Sequence, residues 1–361
     1  MSSIIWHDMS ETIGAGSALA PPRLHFGGPD RPPRYLRNLL RARIDAVPAG
    51  GEIVWSTYYF RDRDLARALI AASDRGVRVI VHVEGQPRRA SVNRETLAML
   101  RAHGLNGGLH VHVPRFQILS PVHGHLHSKI YVFSHPAPSV LIGSFNPSGD
   151  DPEDAEIIAE IGDQDRGHNL LAEFTEPGLV QGFRAHVLGL DRLALRLRPD
   201  QNRPVKGEQA TAWFYPRLRP AVIDRHLEAL QPGSIVRGAI SHLKHGFLVD
   251  TLIQAARTGV NVRLIVHDTE RRVPAAAVTA LKDAGVEIAR YMHPDKLPLH
   301  AKFLLVEESA IRTAYFGSFN YNPRSRYLNN EVLIASDHVA LYGGLLQRFA
   351  EIEDEMGRQR T

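Results

Sequence analysis

The chain is built twice from one plan, and this duplication limits its possible folds more than any other feature. Residues 53–60 form an apolar run of β-favouring side chains. Leu65, Ala68, Leu69 and Ala72 follow at helical spacing, and Gly76 leads into a second apolar run at 77–81. The same order returns as 235–236, then Leu248, Leu252, Ile253, Ala255 and Ala256, then Gly259 and 260–266. Gly76 to Gly259, Leu65 to Leu248 and Leu69 to Leu252 share one offset of 183 residues, and a helical pattern ending at Gly104 matches one ending at Gly285. Strands separated by helices and short loops imply an α/β class with two pseudo-twofold-related lobes, each a mainly parallel mixed sheet flanked by helices. A length of 361 residues suits about two domains. We expect an extended Gly/Pro-rich arm at 1–33, a first lobe at 34–200 and a second at 201–361, with the polar, proline-punctuated stretch 195–206 at the junction.

Composition narrows the chemistry. The absence of cysteine excludes disulfides, thiolate nucleophiles and cysteine-ligated zinc. No window approaches the ~18 consecutive apolar residues of a spanning helix, and residues 1–20 have neither a basic start nor an unbroken apolar core. The expectation is a cytoplasmic chain that at most touches the inner face of a membrane. A net charge of +4 mildly favours anionic partners. Only Lys129, Lys206, Lys244, Lys282, Lys296 and Lys302 are lysines, which leaves 37 arginines and makes each lysine a candidate for work that needs a compact ammonium.

Two of those lysines recur in matched surroundings. His127-Ser128-Lys129 heads the apolar run 130–133; 140–142 then leads into Gly143-Ser144-Phe145-Asn146, and Glu156 follows before Ile157. His300-Ala301-Lys302 heads 303–306; 314–316 leads into Gly317-Ser318-Phe319-Asn320, and Glu331 follows before Val332. On a strand, residues two apart face the same side, so each His and Lys can meet one ligand. Glycine lets backbone approach a phosphate, Lys, Ser and Asn suit nonbridging phosphoryl oxygens, and histidine serves as nucleophile or general acid near neutral pH. Displacement at phosphorus needs an attacking group on one side and a proton donor on the other. Two half-sites facing across a lobe interface supply both, without a metal.

These residues resemble the phospholipase D superfamily, whose signature is a pair of HxK motifs, each followed by GSxN. The resemblance spans roughly residues 36 to 350. It implies an active site between two α/β lobes and a covalent phosphohistidine resolved by water or an alcohol, with no cofactor. Carried over, His127 is the nucleophile and His300 the general acid and later base. Lys129, Lys302, Asn146 and Asn320 bind phosphoryl oxygens, and Ser144 and Ser318 support them. Glu331 orients His127, and Glu156 orients His300. The family's full motif ends in an aspartate that is usually structural; here position 134 is Ser and position 307 is Glu.

Around this set, His242 and Lys244 form part of an unusually basic stretch, 241–245, and are candidates for phosphate or head-group contact. Tyr58 and Tyr59 end an apolar run and read as core, with cleft lining the alternative. The segment 317–331 resembles the second motif of bacterial cardiolipin synthases, which favours a phospholipid substrate, at a membrane surface, with water or an alcohol as acceptor. Arg324 and Arg326 are candidates for a second phosphate. A superfamily nuclease acting on DNA or RNA and a non-catalytic phosphodiester-binding protein stand as alternatives. The imidazole run His110, His112, His123, His125 and His127 has a metal-site pattern, but it has no counterpart in the second half. The basic amphipathic stretch from Arg34 to Val47 reads as scaffold, by analogy with 222–230, with membrane contact as the alternative.

Overall fold

The structure is a computed structural model that describes residues 19–113, 124–149, 163, 165–190, 202–217 and 219–359. The first half holds strands β1 (Arg23–Gly27), β2 (Glu52–Thr57), β3 (Arg78–Glu84), β4 (Leu109–His112), β5 (Ile130–Phe133), β6 (Ser139–Gly143) and β7 (Asn169–Phe174), with helices α1 (Tyr35–Asp45), α2 (Arg63–Asp74), α3 (Arg94–His103) and α4 (Pro177–Leu188). The second holds β8 (Val205–Lys206), β9 (Thr211–Tyr215), β10 (Ile235–Ile240), β11 (Asn261–His267), β12 (Glu287–Tyr291), β13 (Lys302–Glu308), β14 (Ile311–Gly317) and β15 (Glu331–Ser336). Its helices are α5 (Val222–Glu228), α6 (Leu248–Arg257), α7 (Ala275–Asp283), α8 (Pro323–Tyr327) and α9 (Val339–Arg358).

Among the described residues, one sheet runs β1-β7-β6-β5-β2-β3-β4 and the other β12-β11-β10-β13-β14-β15-β9-β8. The sequence of neighbours β6-β5-β2-β3-β4 in the first sheet repeats as β14-β13-β10-β11-β12 in the second, so the duplicated sequence is a duplicated topology. The mixed, two-lobed α/β class stands, but parallel pairing is less extensive than expected. It is confined to β2-β3-β4 and β10-β11-β12, where helices supply the crossovers. The strands that follow each HxK motif return through the short connections 134–138 and 309–310. Such lengths permit only antiparallel pairing.

Local chemistry explains the boundaries. Asp62 caps α2 by accepting the Leu65 N–H at 2.8 Å, and Leu65, Ala68, Leu69 and Ala72 turn inward. The basic helix α1 is scaffold. Leu36, Leu40 and Ile44 are buried, while Arg37 pairs with Asp62 at 3.0 Å and with Asp64, and Arg43 pairs with Glu173. Part of the expected N-terminal arm, β1, pairs antiparallel with β7 as an edge strand.

Each lobe packs its outer helices on one sheet face: Leu36, Leu69 and Leu100 join Trp55 and Tyr131 in the first, and Leu227, Leu252 and Leu281 join Val236 and Leu304 in the second. A third apolar cluster takes residues from both sheets together with α4 and α9, including Ile130, Phe174, Phe183, Phe303, Phe316 and Phe349. The two lobes thus share one core. Among the described residues, no helix is long and apolar enough to cross a membrane.

Candidate active site

The HxK and GSxN segments meet at the lobe interface through an exchange of contacts. Leu126 forms a parallel bridge with Asn330, and Leu299 forms one with His168. The His127 N–H donates to the Asn330 carbonyl at 2.9 Å, and the His300 N–H donates to the His168 carbonyl at 3.0 Å. Each histidine is therefore held by backbone of the opposite lobe.

The side chains follow the same symmetry. His127 Nδ1 lies 2.8 Å from Glu331 Oε2, and His300 Nδ1 lies 2.8 Å from Asn169 Oδ1. Glu331 and Asn169 are the first residues of β15 and β7. Donation from Nδ1–H leaves each Nε2 for the cleft. Lys129 Nζ donates to the His127 carbonyl at 2.6 Å and Lys302 Nζ to the His300 carbonyl at 2.8 Å; both lysines are fully buried behind the histidines' backbone and are not among the cleft-lining residues.

The glycines of the GSxN elements sit where the chains crowd: a Cβ on Gly143 would strike the Leu170 carbonyl oxygen, and one on Gly317 the Val332 carbonyl oxygen. This crowding seats the serines. Ser144 Oγ donates to Asn169 Oδ1 at 3.0 Å and accepts from the Leu170 N–H; Ser318 Oγ donates to Glu331 Oε2 at 2.7 Å and accepts from the Val332 N–H. Expected as phosphate-supporting groups, both serines are fully buried and absent from the cleft lining. The correction is that they hold the residues that hold the histidines. Ser325 and Asn329 give Glu331 Oε1 two further donors at 2.6 and 3.2 Å.

The partner of His300 is a residue that spacing did not indicate. Glu156 lies outside the described residues, and the group at His300 Nδ1 is Asn169, which the sequence reading did not single out. Of the remaining expected residues, His127, His300, Asn146, Asn320, His242, Lys244 and Arg324 all line one cleft of about 500 Å³. Tyr58, Tyr59, Arg88, Arg271 and Arg272 line it too. Tyr58 and Tyr59 thus take the cleft alternative, and the three arginines were missed. Arg326 does not reach the cleft: it makes a buried two-point pair with Asp224, at 3.1 and 2.7 Å, and stacks on Phe247. The residues at the family's aspartate positions sit at strand ends. Ser134 accepts from the Glu52 N–H at 2.8 Å, and Glu307 accepts from the Tyr342 hydroxyl at 3.2 Å.

The imidazole run divides. His110 stacks on His82 with ring centroids 4.5 Å apart, and His112 Nε2 lies 2.8 Å from His82 Nδ1, whereas His125 and His127 face the cleft. His123 lies outside the described residues. Among the described residues, no group of three or more His, Cys, Asp or Glu side chains is arranged to hold a metal ion.

Electrostatics distinguish this cleft from ordinary surface. No carboxylate is among its described lining residues. Burial, then the neighbouring lysines, outweigh Glu331 and lower His127 to about 4. Burial lowers Lys129 to about 7. Burial and then Lys129 push Lys302 well below its usual value, and burial and then Lys302 do the same to His300. Burial alone would raise Glu331, but His127 and Lys129 hold it below the usual carboxylate range. Such clustering of perturbed groups in a cleft is characteristic of sites that handle charge.

A family model described as cardiolipin synthase, PLD-like domain, matches residues 44–176 and again 231–353. The chain belongs to this family of the phospholipase D superfamily. In overall structure it is similar to phosphatidylserine synthase from Haemophilus influenzae Rd KW20, with a TM-score of 0.64 at 12% identity over 91% of this chain and 85% of that one. It is also similar to polyphosphate kinase from Porphyromonas gingivalis, with a TM-score of 0.58 at 13% identity over 92% of this chain. There it spans about half of the other protein, 50%. No curated protein is similar enough in sequence to count as a relative.

Proposed function

We propose that the protein cleaves or exchanges a phosphodiester bond of phospholipids through a phosphohistidine. The observation that carries this reading is the reciprocal clamp, in which each lobe aims the other's histidine into one cleft that no described carboxylate lines.

In the first step His127 Nε2 attacks phosphorus, the bond from phosphorus to the leaving oxygen breaks, and His300 gives its Nε2 proton to that oxygen. In the second, His300 takes the proton of water or an alcohol, whose oxygen attacks phosphorus as the phosphorus–nitrogen bond breaks. Glu331 favours His127 as the nucleophile, because its carboxylate lies 2.8 Å from the ring that becomes cationic on phosphorylation. Lys129, Lys302, Asn146 and Asn320 stabilise the nonbridging oxygens, and His242, Lys244 and Arg324 contact the head group. These cations supply the charge stabilisation that a metal would otherwise give.

The test is incubation with a panel of phospholipids, with and without glycerol, beside single- and double-stranded DNA, with products read by mass spectrometry. We expect lipid turnover, abolished by His127→Ala, slowed roughly 10²- to 10⁴-fold by His300→Ala and insensitive to EDTA. Near-wild-type rates in either variant reject the mechanism. Turnover of DNA alone makes the protein a nuclease, and binding without turnover makes it a phosphodiester-binding protein.

A further inference from the structure

The cleft mouth carries another duplicated feature, which the chemistry above leaves unused. Arg88-Arg89 follows β3 and Arg271-Arg272 follows β11, separated by the same 183 residues that relate the lobes. Arg88 and Arg271 are exposed and line the cleft, one from each lobe. Arg272 lines it as well but is buried, only 5% exposed, with Nη1 3.4 Å from Ser241 Oγ. The three charges oppose one another. Burial, then Arg271 and Arg88, lower Arg272 to about 10, and burial, then Arg88, lowers Arg271. Gathering like charges where water is partly excluded costs stability, so the arrangement is one that an anion would relieve.

On the reading above, the reacting phosphate lies between the two histidines with Lys129 and Lys302 at its oxygens, and its charge is already matched there. The arginines answer to a different anion. We propose that Arg88, Arg271 and Arg272 form a second phosphate subsite at the cleft mouth, selecting a phospholipid donor or an alcohol acceptor that carries a phosphate besides the one attacked. Planar guanidinium groups suit this work, since each can grip a phosphate at two points, and contributions from both lobes let the subsite form only when the lobes are docked. The proposal rests on the phosphodiester reading only for the position of the first phosphate.

Binding is measured first, without turnover. Inorganic pyrophosphate raises the thermal midpoint of the full chain, and its apparent affinity falls about tenfold or more in the Arg88→Ala/Arg271→Ala double variant, whose altered side chains are exposed. Equal affinity in the two proteins overturns the subsite. Selectivity is measured second: short-chain phosphatidylglycerol against its head-group-phosphorylated form as donor, and glycerol against glycerol 3-phosphate as acceptor. The wild-type protein favours the phosphorylated partner in one arm, and the double variant loses about tenfold of that preference. The arm that responds identifies the source of the phosphate, and a ratio near one in both arms for the wild-type protein overturns the selectivity. If no lipid is turned over, the phospholipid reading fails while the pyrophosphate measurement still decides the subsite.

Discussion

Asn169 is the residue at which the two half-sites cease to be equivalent. It occupies the place of Glu331, accepts from a histidine Nδ1 and a GSxN serine as Glu331 does, yet carries no charge. A neutral amide orients His300 without stabilising its imidazolium, so His300 gives up a proton readily and holds one poorly. A carboxylate in that place raises the pKa of His300. The general acid then stays protonated to higher pH, and the alkaline limb of the pH–rate profile for Asn169→Asp moves upward by about one unit or more. A limb that stays put while the rate changes assigns Asn169 a structural role only. Sequence spacing could not find this residue. From His127 to Gly143 and from His300 to Gly317 the distances agree because a strand and a tight hairpin set them, whereas Gly143 to Asn169 is 26 residues and Gly317 to Glu331 is 14. The length of a connection carries no information about the site, so counting along the chain does not lead to Asn169. The HxK and GSxN residues were legible because their chemistry and their strand geometry coincide.

The elements divide in the same way. The strand–helix–strand units β2-α2-β3 and β10-α6-β11 could be read directly, because periodicity changes from strand to helix and back within each. The edge strand β1 could not. Its five residues, RLHFG, owe their conformation to pairing with β7 about 150 positions away, which no local pattern reports. Helix α9 binds this distant segment to the core. Arg348, 2% exposed, donates to both Asp30 oxygens at 2.7 and 2.9 Å, to Glu351 at 2.8 Å and to the Gly27 carbonyl at 3.0 Å, and its Nη2 lies 2.9 Å from His168 Nδ1. His168 is the residue whose carbonyl holds the His300 backbone. Replacing Arg348 with alanine leaves the buried Gly27 carbonyl and His168 without this donor, while Asp30 and Glu351 stay partly solvated, and the expected loss is about 1–3 kcal/mol of folding stability. Urea unfolding measures it. A loss under ~1 kcal/mol, the value of a surface pair, shows that the network is dispensable.

At the scale of the whole molecule, the site is held together at the expense of acid stability. His127, His168, His242, His267 and His300 all have folded-state pKa values below the usual 6.5, with burial as the leading cause in each. The unfolded chain therefore binds more protons than the folded one as pH falls below ~6.5, and stability drops with a slope approaching about 1.4 kcal/mol per pH unit for each such histidine. Depressed Lys129 and Lys302 act in the same direction over the range between their folded values and the usual lysine value near 10.5. Glu331, held low, contributes stability that is present above its unfolded value and is lost only as pH falls through its lower folded value. The sign is common to these histidines, lysines and Glu331, whereas Asp165, raised to about 6 by burial, acts in the opposite direction; the five histidines outnumber it, so acidification on balance loosens the structure. A phosphate-like anion between the lobes opposes this by favouring the protonated lysines and histidines of the folded state. The thermal midpoint is accordingly expected to fall steadily from pH 7.5 to pH 5, and saturating tungstate is expected to make that fall shallower. A midpoint that is flat over this range, or a slope that tungstate leaves unchanged, removes the buried cations as the link between the lobe interface and its anion.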